Sequence, residues 1–323
     1  MRASQCSIED RIRDYAAGIG LDACGFAVAG PVSDAAVAAY DRWIESGANG
    51  CMEWAARYRE VRNDPRLLLE GAQSIVMVAM NYYPAVRQRP DVPQFALYAY
   101  GRDYHEVLRE RLHRLAQFIK DECPGAECRC CVDTAPLRER YWAQQAGLGF
   151  VGRNNQLIVP GRGSHFFLGA VVTTARLTPD APCTLSCGDC MACENACPAS
   201  ALTGGIAADC RRCLSCLTIE HRGPLPQWVA VALGNRVYGC DECQRVCPHN
   251  SNATPCTAPE FQPSPEFLNL TAEQILGMDQ QEFSRVFSHS AIKRAKLDGL
   301  QRNAESLAPS SLSPDPSPRG RGA

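Results

Sequence analysis

Cys187-Gly188-Asp189-Cys190-Met191-Ala192-Cys193-Glu194-Asn195-Ala196-Cys197-Pro198 sets four cysteines within eleven residues and closes on proline. The spacing Cys-x2-Cys-x2-Cys-x3-Cys-Pro is that of bacterial ferredoxins, in which three cysteines wrap one 4Fe-4S cubane and the fourth reaches a second cluster. A zinc site is usually built from paired Cys-x2-Cys groups and does not need this density. A second, shorter motif follows, Cys240-x2-Cys243-x3-Cys247-Pro248, one cysteine short of a full run. If the cysteine before each proline crosses over, the first cluster takes Cys187, Cys190, Cys193 and Cys247. Cys197, Cys240 and Cys243 then remain for the second, which lacks one ligand. Cys210, Cys213 and Cys216 lie in the intervening loop, and spacing alone does not choose among them.

Twelve of the nineteen cysteines fall between Cys183 and Cys256, which marks this segment as a module of its own. Disulfide-rich secreted domains are far smaller than 323 residues, and Met1 to Asp10 lacks the charged start and apolar run of a signal peptide. No stretch of about 18 apolar residues follows. The expectation is a cytoplasmic protein with no membrane contact, its clustered thiols serving as metal or cluster ligands. The formal net charge of -2 provides no global field for nucleic acid, so such a partner must use a local basic patch. Cys6, Cys24, Cys51, Cys123, Cys128, Cys130, Cys131, Cys183 and Cys256 complete no ligand spacing and read as small buried hydrophobes.

Upstream of the module, helix and strand signals alternate. Ser7 to Asp10 reads as a cap for a helix carrying Ile8, Ile12, Tyr15 and Ile19. Ile75 to Met80 reads as a buried strand, and Tyr104 to Lys120 as a helix with Leu108, Leu112, Leu115 and Ile119 on one face. Cys130 to Asp133 reads as a strand, after which Pro136 can open a helix ending near Gly147. Phe166 to Thr174 is a further strand. Asp133 thus falls at a strand's C-terminal end, where ligand-binding loops gather in α/β sheets. The structural alternative for Asp133 is a helix N-cap. No Gly-rich dinucleotide fingerprint opens a helix here, which argues against NAD or FAD. After Cys256 come a proline-rich linker, helical sequence from Thr271 to about Asn303, and a Ser/Pro-rich tail from Pro309 that reads as disordered. Two clusters form a relay for single electrons, so a donor such as a ferredoxin or flavodoxin is expected on one side and an acceptor in the first domain on the other.

Several segments together resemble the epoxyqueuosine reductase family along nearly the whole chain to about residue 303. They include Asp64-Pro65-Arg66-Leu67-Leu68, Asn81-Tyr82-Tyr83-Pro84, Tyr100-Gly101-Arg102-Asp103-Tyr104-His105 and Val132-Asp133-Thr134-Ala135-Pro136-Leu137. Ala146-Gly147-Leu148-Gly149-Phe150-Val151-Gly152-Arg153-Asn154, Gly163-Ser164-His165-Phe166-Phe167-Leu168-Gly169, Leu217-Thr218-Ile219-Glu220 and Gly234-Asn235-Arg236-Val237-Tyr238-Gly239-Cys240 continue the match. The resemblance implies reduction of epoxyqueuosine to queuosine at the wobble base of tRNA, with electrons passing from the two 4Fe-4S clusters to a cobalamin held by the N-terminal domain. It assigns Asp133 as proton donor and Cys213 as the missing cluster ligand. Arg57, His105 and Asn154 become candidate cobalamin or active-site contacts, and the run Lys293, Arg294, Lys296 a candidate for tRNA phosphates. Cys216 stands where the family commonly has tyrosine, Phe150 where tryptophan is more usual, and Asn155-Gln156 where Thr-Leu is usual.

The expected architecture is therefore an α/β (α+β) cobalamin-binding catalytic domain over residues 1–180, a ferredoxin-like two-cluster module over 181–256, a helical segment over 257–303 and a disordered tail over 304–323. A monomer or weak dimer is expected. Three rival readings have distinct marks. A reductive dehalogenase, similar in joining cobalamin to two clusters, usually carries a twin-arginine export signal. A dedicated electron-transfer protein would lack an acid or a cofactor pocket in its first domain. A zinc-based RNA-binding module would be colourless.

Overall fold

The computed structural model describes residues 6–203 and 207–307. The tail reading for 308–323 therefore falls outside the described residues. The strand Ser74–Asn81 is buried at every position, and both of its faces are covered. Val76, Val78 and Met80 point to one core together with Ile12, Phe26, Leu108, Leu112 and Leu115. Ile75, Met77 and Ala79 point to the other, with Trp142, Ala143 and Leu148. A strand covered on both sides needs an unbroken apolar run, and Ile75–Met80 is one.

Four strands make the main sheet, in the order Ala23–Val28, Ser74–Asn81, Phe166–Thr173, Cys128–Cys131. Every neighbouring pair is antiparallel. The mixed α/β expectation stands, but as an α+β sheet in which strand C-termini do not all share one edge. Asp133 nevertheless lies at a populated edge. Asn81 pairs with Phe166, and Cys131 with Ala170, so the ends of two strands and the start of a third meet there.

The helices Ile8–Gly18 and Tyr104–Glu122 cover one face of the sheet. Ser7 caps the first, its side chain accepting from the Asp10 amide at 3.1 Å, as the sequence predicts. The long helix lies tight against the sheet because Gly169 has no side chain, and a Cβ there would stand 2.9 Å from both Leu108 and Leu112. The helix Glu139–Gln145 covers the opposite face. It begins three residues after Pro136 and its N-cap position is Arg138, so neither Pro136 nor Asp133 opens it. The intervening residues turn sharply instead, with the Leu137 amide bonded to the Ala135 carbonyl at 2.7 Å, and this turn sends Leu137 into the core.

The cysteine module is tied to the first domain by a short parallel pairing of Gln94–Phe95 with Arg236–Tyr238. Gln244 adds a buried polar tie, donating to the Tyr82 hydroxyl and to the Ser164 carbonyl, both at 3.1 Å. The C-terminal segment forms a chain of short helices ending in Lys296–Glu305, two residues beyond the expected limit of 303. Its apolar side chains Phe267, Phe283, Phe287 and Leu300 share one core with Phe95, Tyr100 and Tyr238. Boundaries drawn at cysteine-rich composition therefore cut through a common core. No described helix is long and apolar enough to cross a membrane.

Candidate active site and cluster ligands

Asp133 follows the edge strand Cys128–Cys131 with φ +42°, a left-handed conformation that Asp tolerates better than most residues and that costs about 1–2 kcal/mol. This turn aims its carboxylate at the first turn of the long helix, where His105 Nε2 lies 3.0 Å from Asp133 Oδ2. The other imidazole nitrogen, Nδ1, is 2.7 Å from Asp103 Oδ1. Asp103 is also the helix N-cap and accepts from the His105 amide at 2.9 Å. Tyr104 stacks on His105 at 4.1 Å between ring centroids and on Phe167 at 4.4 Å, which fixes the imidazole plane.

Burial works against an imidazolium here, but the carboxylates of Asp103 and Asp133 outweigh it and lift His105 to about 9. Burial also opposes the Asp133 carboxylate, yet its bond to His105, the Tyr104 hydroxyl and the Arg140 charge bring it below the ordinary value. The resting arrangement at neutral pH is thus a proton on His105 held between two carboxylates. More than half of the Asp133 side-chain surface remains open, so the carboxylate can meet a substrate. Asp103 and Tyr104 were not singled out by sequence reasoning. The signal was present, since an Asp-x-His at a helix start places the Asp side chain beside the His.

Immediately beyond this turn, three polar atoms are buried without a partner: Arg138 Nε, Glu139 Oε1 and Trp142 Nε1. Burial, reinforced by the charge of Asp133, pushes Glu139 up to about 8. Buried polar groups are nearly always paired, so such a set calls for a polar ligand. Cobalamin, whose corrin rim carries amide side chains able to donate and accept, fits this donor and acceptor set.

The cysteines gather in two sets. Cys187, Cys190, Cys193 and Cys247 line one cavity together with Asn154 and His249. In the second, Cys197, Cys213, Cys240 and Cys243 lie within electrostatic reach of one another, with Cys51 also near Cys213. Cys193 also acts on Cys243, which marks where the two sets adjoin. No three Cys, His, Asp or Glu side chains among the described residues converge as a single ion requires. Thiols ringing a cavity suit a cubane. Backbone donors already face the sulfurs, with the Arg153 amide 3.5 Å from Cys187 Sγ and the Ala201 amide 3.2 Å from Cys197 Sγ.

Cys210 and Cys216 lie beside the second set and turn towards Cys51. Cys216 Sγ lies 3.1 Å from Cys51 Sγ, across 165 positions of sequence, and also bonds Cys210. Asn154 is buried at the first cysteine cavity, its Nδ2 3.5 Å from the Cys243 carbonyl, and is not at Asp133. Arg57 is exposed, and its carbonyl accepts from Arg62 at 3.1 Å. Arg294 is engaged by Glu220 through two bonds of 2.8 and 2.6 Å, whereas Lys293 and Lys296 are exposed.

A carboxylate paired with a protonated histidine in an α+β domain, packed against a module with two groups of thiols, defines an iron–sulfur oxidoreductase. Residues 62–134 match the family model described as epoxyqueuosine reductase QueG, DUF1730, and residues 186–250 match a 4Fe-4S double cluster binding domain. An epoxyqueuosine reductase of Synechococcus sp. (strain CC9605) is 41% identical over 282 residues, 87% of this chain and 86% of that protein. That of Escherichia coli (strain K12) is 37% identical over 263 residues, 78% and 68% of the two chains. Among solved structures, an epoxyqueuosine reductase with an epoxyqueuosine-modified tRNA-Tyr stem loop superposes with a TM-score of 0.84 at 33% identity, covering 93% of this chain and 80% of that one. One from Bacillus subtilis, with its catalytic aspartate loop swung out of the active site, gives 0.83 at 32% identity over the same shares. The chain belongs to the epoxyqueuosine reductase family.

Proposed function

We propose that this protein reduces epoxyqueuosine to queuosine at the wobble position of tRNA, with Asp133 as proton donor, two 4Fe-4S clusters as the electron path and cobalamin beside Asp133. The observation that carries the assignment is the Asp103–His105–Asp133 chain on the same edge that docks the cysteine module. Cys187, Cys190, Cys193 and Cys247 hold the first cluster, and Cys197, Cys213, Cys240 and Cys243 the second. A ferredoxin or flavodoxin supplies the electrons, and the protein acts as a monomer.

Removing an epoxide oxygen as water and leaving an alkene consumes two electrons and two protons. Cobalamin, when bound, would supply the low-potential reduction, with its electrons coming from the cysteine module. Residues of this chain handle the protons and the positioning. Asp133 delivers a proton to the departing oxygen, and His105, which keeps its proton through neutrality, reloads Asp133 while Asp103 holds the imidazole in place. Arg138, Glu139 and Trp142, whose Nε, Oε1 and Nε1 have no partner, would be the residues to take up corrin amides. The left-handed turn at Asp133 lets the carboxylate move on a short loop, in keeping with the swung-out aspartate loop of the Bacillus subtilis relative. Of the earlier cobalamin candidates, His105 is retained as the proton carrier, and Asn154 supports the first cluster. Lys293 and Lys296 are offered to RNA phosphates, while Arg294 anchors the segment through Glu220.

The test is anaerobic turnover of cluster-reconstituted, cobalamin-loaded protein on tRNA bearing epoxyqueuosine, followed by nucleoside mass spectrometry. Loss of one oxygen mass with wild type and not with Asp133→Asn supports the reading. Equal turnover by the two removes Asp133 from the chemistry. Brown, loaded wild type that leaves the nucleoside intact rejects the substrate.

A further inference from the structure

A groove of about 300 Å³ opens beside the Asp133 turn, between the outer face of the long helix and the edge strand. Arg109 and His113 from the helix, Arg129 from the strand, and Thr134 from the turn line it, and no carboxylate does. Neither Arg109 nor His113 makes a side-chain hydrogen bond or ion pair to another described residue. Arg129 uses one donor, NH1, on the Leu68 carbonyl at 3.2 Å. Most other arginines near this helix are neutralised, as Arg102 is by Glu110 at 2.7 Å and Arg111 by Glu260 at 2.8 Å. The Arg129 guanidinium thus lies on the sheet face of Leu68 and Cys131, and the groove itself keeps the uncompensated Arg109 beside the unpartnered His113 in a protein whose formal net charge is -2.

Its position gives that charge a purpose. Thr134 is the residue after Asp133, so the groove begins one residue, about 3.8 Å of backbone, from the acid. His105, Arg109 and His113 recur every four residues along one helix stripe, in steps of about 6 Å. The stripe runs from the carboxylate into the groove. On another side of Asp133, Arg294 lies within electrostatic reach of it, and the exposed Lys293 and Lys296 flank Arg294. The carboxylate is bordered by basic surface on two sides.

We infer that the groove formed by Arg109, His113 and Thr134 binds backbone phosphate of the RNA strand next to the nucleoside that enters the site. Arginines suit this task, since their planar donors pair with phosphate oxygens two at a time. The inference rests on the proposed function, because it takes RNA as the substrate. It adds a second anchoring surface to the lysines near the C-terminus. A strand held on both sides of Asp133 presents its intervening nucleoside to the acid in a fixed register, and neither surface reads a base.

The test uses holoprotein and a fluorescently labelled, unmodified anticodon stem-loop, with affinity measured by anisotropy over a range of salt concentrations. Each phosphate contact to a single strand contributes about 0.7 to the slope of log K against log salt. Arg109→Gln with His113→Gln is therefore expected to lower the slope by at least about 0.7, with iron content and melting temperature unchanged. Arg109→Gln alone, which disturbs no hydrogen bond, is expected to lower it by about 0.7. An unchanged slope in both variants, with wild type binding normally, overturns the inference. So does a slope that responds only to Lys293→Gln with Lys296→Gln. If wild type converts tRNA-bound epoxyqueuosine while the groove variants bind as it does, the groove fails and the enzymatic reading stands. If wild type neither binds the stem-loop nor converts the nucleoside, both fall together.

Discussion

Replacing His105 by glutamine tests the proton chain most directly, because the substitution keeps a polar side chain and removes the proton carrier between Asp103 and Asp133. In wild type the folded value of His105, about 9, lies above the ordinary 6.5, so the imidazolium persists through neutrality and is lost only as pH rises through about 9. The acidic limb is set by Asp133, whose value is lowered. At pH 7.5 the wild-type chain is therefore almost fully loaded. In the variant only the carboxylates can hold the proton, and with an ordinary carboxylate value near 4 the share of molecules carrying a proton in the chain at pH 7.5 falls by about 10³ relative to wild type, where His105 holds it. Burial without the imidazolium raises that value, which reduces the loss toward about 10². The assay is single-turnover conversion of epoxyqueuosine in tRNA between pH 5.5 and 9.5. Wild type should hold its rate to about 9, whereas the variant should be fastest at the acidic end and fall tenfold per pH unit above it. A variant with less than a threefold loss at pH 7.5, or with an unshifted alkaline limb, would refute the relay.

Cys213→Ser should remove about half of the bound iron and the signal of one cluster in electron paramagnetic resonance, whereas Cys210→Ser and Cys216→Ser should leave the iron content unchanged. Equal iron loss in all three would show that the second set is wrongly composed. Gly169→Ala places a methyl 2.9 Å from Leu108 and Leu112, so thermal melting should show a destabilisation of about 1–3 kcal/mol without loss of iron. Thr271 and Gln274 form a reciprocal cap, with bonds of 3.2 and 2.9 Å, and Thr271→Ala should cost about 1 kcal/mol in chemical denaturation. A neutral result there would mean that the helix Ala272–Gly277 is held by its core contacts alone.

The sequence was most legible where structure follows from local spacing. The cysteine runs, the strands at Ser74–Asn81 and Phe166–Thr173 and the helix Tyr104–Glu122 each repeat a pattern with its own period, and each appears where that pattern puts it. Pairing between distant segments leaves no such trace. The antiparallel sheet order, the two-residue strand Gln94–Phe95 and the contact of Cys51 with Cys216 depend on which surfaces meet after folding. Asp133 was recognisable as a candidate acid, but its partners were not, because His105 reaches it from 28 positions away. Pro136 misled for a related reason. A proline is compatible with a helix start, yet Leu137 had a core position to fill, and the chain turned first.

Cys247 stands with Cys187, Cys190 and Cys193, while Cys197 stands with Cys213 and the later motif. With clusters held this way, neither is enclosed by a single stretch of chain. A growing polypeptide on the ribosome cannot complete either one until residues through the second motif have emerged, although four cysteines are available some fifty residues earlier. Iron delivery is thereby postponed until Cys247 has emerged. The same interleaving means that loss of one cubane frees a stretch of chain that also carries a ligand of its neighbour, so the remaining centre should become more sensitive to air once the first is gone.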